Sequence, residues 1–373
     1  MMHGWEYNSP DIFDTIRSLH FEHLTASWSP YTLRFINPAR TSRGTMLERQ
    51  IWLLRVYETN RPDIFGLGEC APLPGLSIET PQMTVKNLSD VCLRINQYSN
   101  LLSDDNLCFP SVRFALEQAL IDLLRGGKRI LFPSKFTDGN EQITINGLIW
   151  MGSPQFMIDQ LNEKINQGFK CIKMKIGSMK FEEELAILQE LRNTFGYDEI
   201  ELRLDANGAF DSSEALDRLE SLAPLQIHSI EQPIVAGQWD EMADICRQSP
   251  IPIALDEELI GNYNREEKSE ILDAILPSYI ILKPSLTGGF QHCSDWIELA
   301  EERSIGWWIT SSLESNIGLN AIAQWTFTLQ NPMPQGLGTG KLFHNNFESP
   351  LVMHNDMLIY DTANKWKINL SDA

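Results

Sequence analysis

Positive charge is what this chain has least of. Its 30 lysines and arginines stand against 50 aspartates and glutamates, a formal net charge of −20. That deficit excludes nucleic acid and anionic membrane as partners, because both are recognised by a basic face. No apolar run approaches the roughly 18–20 residues of a membrane span, and no secretory-type apolar segment opens the chain. The six cysteines (Cys70, Cys92, Cys108, Cys171, Cys246, Cys293) are scattered without a CxxC pair. Reduced thiols in the cytoplasm are the expectation. The seven histidines form no HExxH or similar metal spacing, and His228, just ahead of Glu231, reads as structural. Residues 336–341 faintly resemble a phosphate loop, but the spacing is not GxxxxGK and Leu342 stands where a Ser or Thr is required.

What is present is apolar material for a sizeable core. The chain has 373 residues, 43% of them hydrophobic and 21% charged. That is enough for two domains, or for one large barrel with an added domain. Residues 1–25 read as an extension with one short helix over 11–19, and a start site assigned too early would explain them. Residues 26–135 read as an α+β cap. Strands are expected at 31–35 and 50–56 around a loop of turn formers at 37–44, followed by a second loop at 66–75. Helices follow at 80–99 and 111–126, the second starting at Pro110-Ser111. Residues 136–340 then alternate strand and helix, from a first strand at 142–150 and a helix at 154–167 to a helix at 317–329 and a last short strand at 334–337. Trp307 and Trp308 read as barrel packing. Residues 341–373, including Leu358-Ile359-Tyr360, are expected to return to the cap.

Within the alternating part, short apolar runs end in charged residues that a strand does not need for folding. These are Asp205, Glu231, Asp256 and Lys283, at intervals of 26, 25 and 27 residues. About one strand–helix unit fits each step, which is the period of a (β/α) barrel, where all strand C-termini share one mouth. Three carboxylates gathered there repel one another unless a cation sits between them, and a hard divalent ion such as Mg²⁺ suits oxygen ligands. The competing reading, acids that cap helices or pair with Arg203, is weaker for three in register than for one. Lys173 and Lys175 lie two apart, so both project from one strand face. Proximity and burial would lower their pKa values and let one remove a proton.

The set Lys173-Met174-Lys175, Asp205-Ala206-Asn207, Glu231-Gln232-Pro233, Asp256-Glu257 and Lys283-Pro284 resembles the enolase superfamily, in its muconate-lactonizing subgroup. Such sites generally pair a Lys or His base with one or two Mg²⁺ ions, an established pattern rather than one read from these residues. The resemblance spans the chain from about residue 30 and takes in the cap loop at 68–73. It implies a modified TIM barrel, (β/α)7β, with an α+β capping domain. It also implies Asp205, Glu231 and Asp256 as Mg²⁺ ligands, Lys175 as the base and Lys283 as the opposing lysine. The motifs at 311–319 and 336–340, with the cap loop at 41–44, resemble the branch that dehydrates a succinyl-bearing cyclohexadiene carboxylate in menaquinone synthesis. That implies a small anionic substrate held by Lys173, Arg43, Asn207, Ser311, Ser312, Glu314 and Gly336. Two alternatives stay open: a racemase or epimerase of N-acylated amino acids or dipeptides using both lysines, and a barrel that binds a ligand without catalysis. Oligomeric state is not legible.

Overall fold

The computed structural model describes Ile16, residues 21–41 and residues 44–368. The helix expected over 11–19 lies outside these except for Ile16, which is fully buried in the main core.

Strand β1 (Leu24–Thr41), β2 (Gly44–Glu58) and β3 (Phe65–Cys70) form an antiparallel sheet in that order. The turn formers at 37–44 do not make the expected long loop. Pairing runs from Leu24↔Glu58 to Thr41↔Gly44, with a register shift between Arg34 and Ala39. Pro38 lies within that shift: lacking an N–H, it interrupts the ladder locally without ending it. Helices α1 (Pro81–Leu93), α2 (Tyr98–Ser103) and α3 (Pro110–Leu124) follow. The helical pattern expected across 80–99 breaks at Arg94, where α1 ends with φ −106° and ψ 17°. Gly66 and Gly68 let β3 lie directly on α3, since a Cβ at either would collide with the carbonyls of Ala119 or Ala115.

The expected first barrel strand divides in two. β4 (Ile143–Thr144) pairs antiparallel with β13 (Met357–Tyr360), which forms a hairpin with β12 (Leu351–His354). β5 (Gly147–Ile149) opens a parallel sheet. Its further strands are β6 (Cys171–Lys175), β7 (Glu201–Asp205), β8 (Ser229–Glu231), β9 (Ile253–Leu255), β10 (Tyr279–Leu282) and β11 (Gly306–Ile309), neighbours in sequence order. Helices α4 (Pro154–Asn166), α5 (Phe181–Thr194), α6 (Ala215–Leu222), α7 (Trp239–Gln248), α8 (Arg265–Ile275), a short α9 (Pro284–Thr287), α10 (Gly289–Glu302) and α11 (Asn316–Thr328) intervene. Two parallel bridges, Thr310↔Gly336 and Ile145↔Gln335, join the sheet's two edges, so residues 335–336 serve as a minimal eighth strand. A Cβ at Gly336 would collide with Thr310, which is why glycine stands at this closure.

Two carboxylates tie cap to barrel. Glu69 at the end of β3 accepts hydrogen bonds from the Ser315 N–H (2.8 Å) and the Gly318 N–H (2.8 Å) at the start of α11. Glu117 of α3 accepts from the Phe290 N–H (2.6 Å) at the start of α10. Both exploit the positive, donor-rich end of a helix. After the barrel, residues 342–344 run beside β1, with Ile36 N–H donating to Leu342 O and His344 N–H to Arg34 O. The β12–β13 hairpin pairs with β4, and beyond it Trp366 and Ile368 pack on the cap cluster of Leu33, Phe35 and Ile51.

Candidate active site

Parallel register places the charged strand ends side by side. Lys175 aligns with Asp205, and Asp205 with Glu231. Asp256 follows β9 directly and Lys283 follows β10. Alternation keeps Met174 and Ile176 in the apolar core and turns Lys173 and Lys175 to the opposite face. The acids and lysines therefore meet at one rim.

Lys173 Nζ lies 2.9 Å from Asp205 Oδ2 and also engages Glu231 Oε2. Lys175 Nζ donates to Asp205 Oδ2 (2.8 Å) and to Asn207 Oδ1 (2.8 Å). Lys283 Nζ engages Asp256 Oδ2 and lies 3.9 Å from Glu231 Oε1. Asn207, at φ +46°, passes its amide N–H to Glu257 Oε1 (3.1 Å). Arg203 is spoken for elsewhere: it bonds Glu201 and Pro334 O and lies over the Trp308 ring, so the acids do not depend on it. His228 stacks on Tyr279 with ring centroids 5.0 Å apart, a structural role.

Burial works against every charge here, and the neighbours decide each outcome. Asp205 is desolvated, yet Lys173, Lys175 and Lys283 hold its pKa well below the usual range. Asp256 is likewise lowered, by Lys283 and Lys173 against burial. Glu231 goes the other way: burial first, then repulsion from Asp205 and Asp256, raise it well above an ordinary carboxylate. Burial opposes the charge on Lys173 and Lys283, but the surrounding carboxylates win and raise both. The sequence-based expectation of a lowered value is thus reversed at Lys173, because burial is outweighed by Asp205, Glu231 and Asp256 together.

Among the described residues no three acidic, His or Cys side chains are already disposed around a common cation point, since the lysines draw the carboxylates onto themselves. The donor set nonetheless fits a hard divalent ion. Three carboxylates rise from consecutive strands, and Glu231 Oε1 is buried without a hydrogen-bond partner.

Above the charges is a cavity of about 310 Å³ lined by Lys173, Lys175, Asn207, Lys283, Ser311, Ser312 and Gly336. Its apolar wall comes from Leu73 and Leu76 of the cap and from Leu148 and Trp150. Of the expected substrate contacts, Glu314 does not line it. Glu314 is fully buried beneath the floor, accepting from Ser312 N–H (2.8 Å), Ser312 Oγ (2.8 Å) and Ser285 Oγ (2.5 Å). Its carboxyl group sits among donors from Ser312 of its own loop and Ser285 of α9, a placement no motif announces. Arg43 lies outside the described residues; Gly44, Thr45 and Met46 of β2 reach the cavity. Sequence reasoning missed Asn146, Thr310 and Thr339, which also line the cavity. Thr310 immediately precedes the 311–319 motif, and Thr339 lies within the 336–340 motif.

An enolase C-terminal domain-like family model matches residues 157–363, more than half of the chain. The o-succinylbenzoate synthase of Desulfotalea psychrophila is 44% identical over 366 residues, covering 90% of this chain and 98% of that protein. A crystal structure of MenC from the same organism superposes with a TM-score of 0.80 at 41% identity, covering 91% of this chain and 100% of that one. The L-Ala-D/L-Glu epimerase of Bacillus subtilis has the same fold, with a TM-score of 0.79 at 19% identity, over 92% of this chain and 98% of its own. The chain is therefore an enzyme of the enolase superfamily, built as a capped, modified TIM barrel.

Proposed function

We propose that this enzyme is an o-succinylbenzoate synthase, a hydro-lyase that removes water from 2-succinyl-6-hydroxy-2,4-cyclohexadiene-1-carboxylate in menaquinone biosynthesis. The 44% identity to the Desulfotalea psychrophila o-succinylbenzoate synthase over nearly its whole length carries the choice. The relatives named as racemases or epimerases reach 26% or less. The cavity chemistry supports the same reading: apolar side chains suit a cyclohexadiene ring, and lysines at the rim suit an anionic substrate.

In this reading Asp205, Glu231 and Asp256 hold Mg²⁺, which when bound neutralises charge on the substrate carboxylate. The amine of Lys175 takes the proton from the ring carbon that bears the carboxylate, and the C–H electron pair passes into an enediolate. The resulting ammonium of Lys175 then gives its proton to the departing 6-hydroxyl. The C–O bond breaks, water leaves from the same face, and the ring becomes aromatic. Asn207 fixes Lys175 through the 2.8 Å bond to its Nζ. Lys283, held cationic by Asp256 and Glu231, stands by the developing negative charge. Lys173 keeps Asp205 and Glu231 oriented.

Steady-state turnover of the cyclohexadiene carboxylate, with and without Mg²⁺, tests the proposal. Dehydration that requires Mg²⁺ is expected. Absence of dehydration alongside α-proton exchange of an N-succinyl amino acid in D₂O would overturn it in favour of a racemase. Inactivity in both assays would leave the ligand-binding reading.

A further inference from the structure

Ser311, Ser312 and Leu313 reach the cavity from a segment whose backbone is held from outside the barrel. Leu313 has φ +68°, a left-handed conformation that a bulky residue adopts only when its surroundings impose it. Two buried cap residues impose it here. Arg49 of β2 is 2% exposed and donates through Nη1 to Ser312 O and through Nη2 to Ala71 O (2.6 Å). Glu69 of β3 is fully buried and accepts from Ser315 N–H, Ser315 Oγ (2.5 Å) and Gly318 N–H. A Cβ at Gly318 would press on Glu314 and Glu69, so the approach is close. Glu314 completes the clamp from below and links Ser312 to Ser285, two residues beyond Lys283.

We propose that Arg49 and Glu69 are positioning residues for substrate binding: from the cap they fix the 311–315 segment in the bent form that turns Ser311, Ser312 and Leu313 to the substrate. The inference rests on the proposed activity for its kinetic readout only. Neither residue touches the cavity or the proton-transfer groups, so each acts through KM and leaves the chemistry alone. A proton on Glu69, whose pKa burial pushes up to about 7, removes charge from the α11 N-terminus without removing the geometry.

The experiment compares wild type, Glu69→Ala, Glu69→Gln, Arg49→Lys and a control, Leu54→Ala, which hollows the cap core away from this segment. For Glu69→Ala and Arg49→Lys, KM should rise about tenfold or more with kcat within about threefold. Affinity for o-succinylbenzoate by calorimetry should fall in parallel. Hydrogen exchange of the Ser315 and Gly318 amides should quicken in Glu69→Ala and less in Glu69→Gln, which keeps an acceptor. Leu54→Ala should lower thermal stability without moving KM. Unchanged KM and amide protection in the Glu69 and Arg49 variants, or an equal KM shift in Leu54→Ala, would overturn the proposal. Should Glu69→Ala fail to fold, Glu69→Gln and Arg49→Lys carry the same comparison. Exchange is read without substrate, so a wild type inert toward the cyclohexadiene would count against the proposed activity alone.

Discussion

Burial and a helix N-terminus pull on Glu117 in opposite directions. Desolvation dominates, and even with Arg113 nearby and the Phe290 N–H as donor its pKa is pushed up to about 7. A carboxyl group raised in the folded state contributes stability below its ordinary value near 4.5, and that contribution is lost as pH rises through about 7. Glu117→Gln removes the titration. The stability difference between the two proteins in urea denaturation should move by about 3 kcal/mol toward the glutamine variant between about pH 4 and pH 8. A pH-independent difference would mean that folding leaves the Glu117 pKa near its ordinary value. At the rim, Glu231 Oε1, buried without a hydrogen-bond partner, predicts that Glu231→Gln weakens Mg²⁺ binding by more than about tenfold in a calorimetric titration.

At the scale of elements, the seam between β3 and α3 has no room for side chains at Gly66 and Gly68. Gly68→Ala should destabilise the fold by about 3 kcal/mol in chemical denaturation, because the collision is with backbone that cannot yield. The middle barrel strands, β7 to β10, were legible in the sequence because each ended in or just before a charge at a near-constant interval. The cap hairpin was less so: Asn37 and Pro38 are turn formers by composition, but the long ladder on either side overrides them and leaves only a register shift. The division of residues 142–150 between two sheets was not legible, since Ile143 and Leu148 look alike until the C-terminal hairpin claims the first. The last strand, expected at 334–337, is reduced to residues 335–336, and two bridges are all it needs.

Across the whole molecule, three lysines face three carboxylates at the mouth, so the rim is charge-balanced by its own side chains. Chelation with EDTA should therefore abolish turnover while leaving the melting temperature within a few degrees; a large drop would mean that the ion holds the fold together. Of the six charged residues at the mouth, Asp205, Glu231, Asp256 and Lys283 could be read from spacing and Lys173 and Lys175 from strand alternation, because one mouth must collect all strand ends. The support beneath it could not. Glu314 looked like a ligand contact and proved to be a buried brace, and Glu69 and Arg49 act across more than 240 residues of sequence. The most direct test of the account is turnover by Lys175→Ala beside wild type, using substrate deuterated at the ring carbon that bears the carboxylate. The account predicts a primary isotope effect in wild type, and in Lys175→Ala a loss of at least about 10²–10⁴-fold in rate with Mg²⁺ binding retained. Turnover by Lys175→Ala near the wild-type rate would contradict it.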